Sequence, residues 1–352
     1  MAKFNPMSAQ NPFLKEDKEA LSTQGSTLLN MAGSLGANYR TDSAENPGVF
    51  FAMQLAHIKA KAYDKIYPEL TGLSLFPMTS DADDGAEYIE YFSYEKTGIA
   101  NIISNYANDL ARVDVKGAPH RAKIVSLGDS YGYNVQEMRA ARRNAILQMG
   151  KPLDAGRAEA ARYAYDVSTN HLIWNGDAET GVVGIFSSGN NIPVITLSNG
   201  ASGKADWDNK TADEIAADFT LILNTVSKTT RGVEHPDSVV MAEDRFNTLT
   251  SRRITGTDAT LMEYLQKAFG RQIKNWEVAN ELSASNTDYN STGKNRCLFY
   301  TKDAEKLSRE TPMPFRQYPV QPRNLEMVVN CEGREAGVMI YYPMSAAIVN
   351  GI

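Results

Sequence analysis

The sequence is poor in cysteine and histidine, and it has no long apolar run. Its two cysteines, Cys297 and Cys331, form no CxxC unit, so free thiols are the default expectation. The four histidines lack the HExxH or HxH spacing of a zinc site. No stretch approaches the ~20 apolar residues that span a bilayer, and residues 1–6 lack the apolar run of a secretion signal. We therefore expect a protein of a reducing, aqueous compartment with no membrane partner.

Motifs that carry catalysis are absent as well. The sequence contains no GxSxG elbow, Walker loop or GxGxxG fingerprint. Asp81, Asp83 and Asp84 are clustered, but the glycine and glutamate spacing of an EF-hand loop is not met, so a solvated acidic turn is the better interpretation. These absences predict a protein that is not an enzyme and needs no cofactor or metal. A soluble enzyme or small-molecule-binding protein with an α+β fold remains an alternative.

Positive charge is not concentrated anywhere in the chain. The 36 lysines and arginines are outnumbered by 42 aspartates and glutamates, which makes the formal net charge −6. Tight nucleic-acid binding needs a basic patch because contacts to phosphate drive it, so this class of function is disfavoured, whereas non-specific proximity is allowed. A length of 352 residues predicts two or three lobes rather than one core.

Two strand-like runs, residues 86–95 and 121–127, organise the chain as an antiparallel ribbon. Opposite charges across such a ladder each add roughly 0.2–1 kcal/mol and help to set the register. Apolar residues occur on both faces, and an isolated two-stranded ribbon is marginally stable in water. Two interpretations stay open: strands inside an ordinary sheet, or an arm that lies on a neighbouring copy of the protein. The charged residues are Glu87, Glu90 and Glu95 on the first run and His120, Arg121 and Lys123 on the second.

Helical periodicity predicts helices over residues 49–67, 135–149 and 154–174. Thr211 and Glu214 form a capping box that begins another helix. Further helices are predicted around residues 245–249 and 261–269, and strands at 236–242, 273–278 and 296–301. Residues 70–77 are predicted to be extended, and residues 325–330 and 337–342 to form a hairpin-like return around the polar residues 332–335.

The order of these segments resembles the tailed-bacteriophage major capsid protein fold, which bacterial encapsulin shells share. Residues 175–185, NGDAETGVVGI, resemble the family's exit from its spine helix, where spaced glycines precede a hydrophobic residue. Residues 237–246 resemble the family's strand followed by a short helix, and residues 324–352 resemble its closing strands. The chain is most similar to the encapsulin-like branch of phage capsid proteins.

The resemblance implies an α+β fold, the tailed-phage major capsid fold, with four parts. These parts are an N-terminal arm (1–48), a peripheral domain with a long spine helix (49–84, 128–186 and 321–352), an extended β-loop (85–127) and an axial domain (187–320).

The resemblance also implies a shell-forming structural protein, the major capsid protein of a tailed bacteriophage or prophage. Its copies would self-assemble as hexamers and pentamers into an icosahedral head around double-stranded DNA, which they would touch non-specifically. Portal and scaffold or decoration proteins would be further partners. Assembly would take place in the host bacterial cytoplasm, and the protein would end in the virion capsid. An encapsulin nanocompartment shell around an enzyme cargo is the alternative that the shared fold leaves open.

The candidate intersubunit contacts lie on the ribbon. Interfaces are enriched in aromatic residues, and tyrosines are clustered there. Lys96 lies in the loop where crosslinking members of the family carry a lysine, but the other crosslinking residues have no firm counterpart, so the resemblance does not extend to covalent crosslinking. The candidate contact residues are Glu87, Tyr91, Glu95, Lys96, Arg121 and Lys123.

Overall fold

The structure is a computed structural model that describes residues 65–99, 112–146 and 153–352. The predicted arm over residues 1–48 and nearly all of the predicted helix over 49–67 lie outside these residues. The chain divides into two compact units, and the larger one consists of Ile66–Val135 and Arg157–Ile352. The smaller unit combines Met1–Lys65 with Gln136–Gly156. No helix within the described ranges has both the length and the apolar character of a membrane span.

Six α-helices and sixteen strands lie in the described ranges. The helices are α1 (Gly72–Leu75), α2 (Val135–Ile146), α3 (Leu153–Trp174), α4 (Ala212–Thr229), α5 (Glu243–Ser251) and α6 (Leu261–Phe269). The strands are β1 (Met78–Thr79), β2 (Tyr88–Thr97), β3 (Asp114–Lys123), β4 (Val125–Asn134), β5 (Gly176–Asp177), β6 (Val182–Val183), β7 (Val194–Ile195), β8 (Ser238–Met241), β9 (Asn275–Val278), β10 (Arg296–Tyr300), β11 (Leu307–Glu310), β12 (Met313–Gln317), β13 (Gln321–Arg323), β14 (Glu326–Glu335), β15 (Val338–Ile340) and β16 (Ala347–Asn350).

A five-stranded sheet in the order β7-β16-β10-β8-β9 forms the main core. Its central strands β8 and β10 are buried at every position, because both faces of the sheet are covered. Phe219 of α4 and Leu265 of α6 lie in the cluster with Phe299 on one face. Trp174, the last residue of α3, lies in the cluster with Leu298 on the other. The α+β prediction is confirmed.

The predicted capping box begins α4. The Thr211 hydroxyl accepts a hydrogen bond from the backbone N–H of Glu214, and the Glu214 carboxylate accepts one from the Thr211 N–H at 2.8 Å. Thr260 and Glu263 form the same arrangement at the start of α6. Each pair satisfies two backbone donors that the first turn leaves without a partner, which explains why both helices begin where they do.

The predicted C-terminal hairpin is wrong. Residues 326–335 form one continuous strand, β14, which pairs along its whole length with β4, from Glu326 opposite Asn134 to Glu335 opposite Val125. Strand β15 pairs with β11 instead. The polar residues 332–335 indicated a turn. Glu335, the last of them, instead accepts hydrogen bonds from the hydroxyls of Tyr165 and Thr311, which stand 170 and 24 positions away in the chain.

The extended prediction for residues 70–77 is wrong in its centre, where α1 forms one helical turn. The Gly72 N–H donates to Asn170 Oδ1 at 2.9 Å. The backbone N–H and the hydroxyl of Thr71 both donate to the Glu281 carboxylate, at 3.0 and 2.7 Å. These partners stand 98 and 210 positions away in the chain, so no local pattern could have indicated the turn.

The exit from α3 explains the spaced glycines of residues 175–185. Gly176 and Gly181 have φ of +66° and +82°, a region that favours glycine. Asp177 closes the turn between β5 and β6, accepting hydrogen bonds from the Thr180 hydroxyl at 2.7 Å and from its N–H at 3.3 Å. These hydrogen bonds lower the pKa of Asp177 below its usual value. Gly184 then passes so close to the backbone of Gly176 that no side chain fits.

Glu335 is the polar group at the end of β14, and it is 2% exposed. Its two carboxylate oxygens accept hydrogen bonds from the Tyr165 hydroxyl at 2.9 Å and the Thr311 hydroxyl at 2.8 Å. Burial raises the pKa of Glu335 above its ordinary value, although the Thr311 hydrogen bond and the positive charge of Arg309 act in the opposite direction. The folded state therefore holds this proton more tightly than the unfolded state does.

We expect the stability that Glu335 contributes to fall as the pH rises. The contribution is fully present below the unfolded pKa of about 4.3, and it is lost as the pH rises through the higher pKa of the folded state. The loss is about 1.4 kcal/mol for each pH unit between these two pKa values. Glu335→Gln removes this titration but keeps an oxygen acceptor. The free energy of unfolding of the unassembled subunit, measured in denaturant between pH 4 and pH 8, should decline with pH more steeply in the wild type than in Glu335→Gln. Parallel pH profiles would contradict the prediction.

Candidate intersubunit surface

Strands β2 and β3 form a two-stranded sheet of their own, so the interpretation of these residues as part of an ordinary sheet is wrong. They pair antiparallel over ten residues each, from Tyr88 opposite Lys123 to Thr97 opposite Asp114. The predicted antiparallel ribbon is confirmed, although its return strand begins at Asp114 and ends at Lys123. Residues 125–127 belong to β4, which pairs with β14.

Charge pairing across the ribbon follows the register. Glu90 lies opposite Arg121, and the two side chains form an ion pair at 2.8 Å. Both groups are exposed, so water and salt screen the pair and it contributes about 1 kcal/mol at most. Its main effect is to favour this register over a shifted one.

One face of the ribbon exposes aromatic and other apolar side chains to solvent. Phe92 is 59% exposed and Tyr94 is 73% exposed, and the two are consecutive on one face of the strand, between Glu90 and Lys96. The Arg121 guanidinium lies over the Tyr88 ring at 4.8 Å from its centroid, which covers part of that ring. We call this surface the aromatic face; its members are Tyr88, Phe92 and Tyr94 of β2 and Val115 and Pro119 of β3.

The opposite face packs on its own subunit near the base of the ribbon. The Tyr91 ring stacks on His120 at 5.0 Å and meets Tyr341 edge-on at 4.9 Å. Its hydroxyl donates to the carbonyl of Ile340 at 3.4 Å. Partial burial raises the pKa of Tyr91, and the charge of Tyr341 raises it further. This side of the ribbon is therefore engaged near its base through Tyr91, whereas among the described residues the aromatic face leaves Phe92 and Tyr94 largely uncovered.

The base of the ribbon is fixed by hydrogen bonds to the body of the subunit. The Glu310 carboxylate accepts from the backbone N–H groups of Asp81 and Ala82 at 2.6 and 2.9 Å. The Arg334 guanidinium donates to the carbonyl of Asp84. The N–H of Ile124, just after β3, donates to the carbonyl of Glu87 at 2.9 Å. The acidic turn at residues 81–84 thus joins the ribbon to the strands that support it.

The structure brings the six predicted contact residues onto one ribbon but spreads them over both faces. Glu87, Glu95, Lys96 and Arg121 are exposed, whereas Tyr91 and Lys123 are half-buried. Glu95 lies opposite Lys116, and Lys96 lies opposite Val115.

Reasoning from the sequence chose five charged residues and Tyr91, and did not include Phe92 and Tyr94 among the candidates. The period-2 alternation of β2 places both on one face and was the signal that could have identified them.

No group of histidine, cysteine, aspartate and glutamate side chains within the described ranges could hold a metal ion. Cys297 and Cys331 are both buried free thiols. Burial raises the pKa of Cys331 to about 11, so its thiol stays protonated and unreactive at neutral pH.

The model of the major capsid protein family matches residues 98–352, which is more than two thirds of the chain. This range contains β3 and every described element that follows it. No curated protein sequence matches the chain.

Solved capsid structures share the fold. The capsid of Myoviridae phage XM1 superposes with a TM-score of 0.71 at 15% identity, covering 86% of this chain and 98% of that one. A structure from Mycobacterium phage Ogopogo superposes with a TM-score of 0.57 at 13% identity, covering 86% of this chain and 98% of that one. The capsid of a native GTA particle superposes with a TM-score of 0.59 at 9% identity, covering 90% of this chain and 99% of that one. At these identities, what is shared is the arrangement of the elements.

Proposed function

The chain belongs to the major capsid protein family and is a shell-forming structural protein, and from this we propose that its copies assemble as hexamers and pentamers into the icosahedral head of a tailed bacteriophage or prophage. In this proposal residues 85–127 are the extended loop that lies on a neighbouring copy. Residues 187–320 form the axial domain, and residues 49–84, 128–186 and 321–352 form the peripheral domain. The arm over residues 1–48 contributes further contacts.

The uncovered aromatic face is the observation that carries this proposal. Phe92 and Tyr94 stand on a two-stranded ribbon, and within the part of the chain that the structure describes no second layer buries them. Such a ribbon is marginal in water, and clustered exposed aromatic residues mark surfaces that bind another protein. A second copy of the chain is always present in an assembling shell, and closed shells use one surface many times. Burial of about 25 cal/mol per Å² of apolar surface would then favour assembly.

The proposed content of the shell is double-stranded DNA, touched only non-specifically. A net charge of −6 would keep the inner surface from binding the genome tightly, because strong binding would need many neutralised phosphates. Portal and scaffold or decoration proteins would be the other partners. In this proposal assembly takes place in the host bacterial cytoplasm, and the subunit performs no catalysis.

Electron microscopy of purified particles, combined with nuclease protection, tests the proposal. We expect closed icosahedral shells, with nuclease-protected double-stranded DNA in particles from a phage lysate. Shells that contain protein cargo and no protected DNA would instead establish an encapsulin-type compartment. A subunit that stays monomeric at high concentration in physiological salt would refute assembly altogether.

A further inference from the structure

A cavity of about 230 Å³ lies between the end of α3, the start of β10 and the loop that precedes β10. Its lining is mostly polar and includes hydroxyl and amide donors. A volume of this size holds several water molecules, each of which occupies ~30 Å³ in the liquid, and therefore also a small polyatomic ion. The lining residues are Asn175, Phe186, Thr287, Asp288, Tyr289, Ser291 and Arg296.

Arg296 is the unusual member of this lining. The residue is only 8% exposed, and its guanidinium lies over the Phe186 ring at 4.3 Å from the centroid. Its Nε is buried and has no hydrogen-bond partner among the described residues. Burial lowers the pKa of the Arg296 guanidinium, yet arginine keeps its charge in proteins.

The other buried cations of the described chain are paired with carboxylates. Lys210 lies 2.7 Å from Asp218, and Arg245 lies 2.8 Å from Asp208. Within the same ranges no carboxylate lies in ion-pair distance of Arg296. Leaving a buried charge without a counter-charge costs several kcal/mol, and a ring contact recovers roughly 2 kcal/mol of that.

We propose that this cavity binds an oxyanion through the guanidinium of Arg296. The planar N–H fork of arginine matches the two oxygens of a phosphate or carboxylate group. The hydroxyls of Thr287 and Ser291 at the mouth supply donors of the kind that phosphate oxygens accept. Asp288 also lines the cavity, but it is exposed and forms no ion pair with Arg296. Its negative charge opposes an anion and limits the affinity.

Two sources of the oxyanion fit this chemistry. One is a free phosphate group, whose binding needs only the single subunit. The other is a carboxylate side chain of a second copy of this chain, which depends on the proposed assembly. The two sources differ in whether the unassembled subunit responds to a free anion.

The first arm of the test measures the melting temperature of the unassembled subunit in inorganic phosphate and in sodium chloride of equal ionic strength. A bound free anion should raise the wild-type melting temperature by about 3 °C more than it raises that of Arg296→Met. General stabilisation by excluded phosphate affects all variants equally and cancels in this difference. Arg316→Met is the matched control, because Arg316 also lies over an aromatic ring, Tyr318 at 5.2 Å, but does not line the cavity.

Ser291→Asp tests the same site without removing Arg296. The position is exposed, so the substitution should not disturb folding. The new carboxylate should form an ion pair with the Arg296 guanidinium and thereby abolish the phosphate response. A phosphate response that survives in Ser291→Asp would overturn the proposal.

The second arm compares shell formation by the same variants in phosphate-free buffer. If the occupant is a carboxylate of a second copy, the wild-type subunit shows no phosphate response, and Ser291→Asp and folded Arg296→Met form few shells while Arg316→Met assembles normally. No phosphate response together with normal assembly of Ser291→Asp would overturn the proposal. The phosphate arm does not involve assembly, so its result is independent of whether the shell proposal holds.

Discussion

Replacing Phe92 and Tyr94 together by serine should leave the subunit folded and abolish closed shells at concentrations where the wild type assembles. Both side chains are largely exposed in the single subunit, so their removal costs it little packing. If each buries its apolar surface on a neighbouring copy, each contributes about 1.5–3 kcal/mol to that contact. Since every 1.4 kcal/mol is a factor of ten, the concentration needed for assembly should rise by about 100-fold or more.

Light scattering and electron microscopy of refolded subunits would measure the loss. Circular dichroism and the melting temperature of the unassembled variant would show that folding is intact. Ser93→Ala is the matched control, because Ser93 lies on the same strand but on the other face, where its hydroxyl meets His120 Nε2 at 2.9 Å. Shells of the double variant at wild-type yield would show that the aromatic face lies outside the interface.

Gly184→Ala should destabilise the subunit by about 3 kcal/mol or more. A β-carbon at position 184 would lie against the backbone N of Gly176, 2.6 Å from the carbonyl carbon of Asn175 and 2.9 Å from that of Trp174. Backbone atoms cannot move aside as a side-chain tip can, so the whole exit from α3 would have to shift. The shift would reach the core, because the N–H of Ile185 donates to the carbonyl of Ile173 at 2.9 Å and Trp174 is fully buried.

Gly181→Ala provides the control for Gly184→Ala. Gly181 has φ of +82°, but no atom lies within 4 Å of the position that a β-carbon would take. Its substitution should therefore cost about 1–2 kcal/mol, from backbone conformation alone. Denaturant unfolding of the two unassembled variants should separate them clearly. Equal losses would mean that the close approach at Gly184 relaxes without strain.

Local patterns determined the elements whose stabilising contacts are also local. The capping box at Thr211 uses a partner three residues away, and the glycines of residues 175–185 close a turn within that same stretch. The antiparallel ribbon could be predicted because the strand-like alternation of side chains and the complementary charges lie in two runs that pair with each other. The predicted α+β class came from the resemblance of the segment order to the capsid fold.

The ribbon that carries the candidate surface was predicted from the sequence, but the exposure of its individual side chains was not. The sequence pointed to the ribbon, and charge pointed to Glu95 and Arg121. Which face packs on the subunit depends on the edge-on contact of Tyr91 with Tyr341, 250 residues further along, and no periodicity within the ribbon contains that information.

By itself, the sequence determined where α4 begins, where the chain turns tightly after α3 and which two runs form a ribbon, because these depend on neighbours in the chain. Only the tertiary structure decided that the polar end of β14 continues as a strand and that Ala347–Asn350 enters the central sheet beside β10. It alone decided that Arg296 is buried with no carboxylate among the described residues in ion-pair distance. The physical reason is that burial and hydrogen-bond satisfaction depend on groups that only folding brings together, so a polar residue that indicates a turn in sequence can be a satisfied core residue in space.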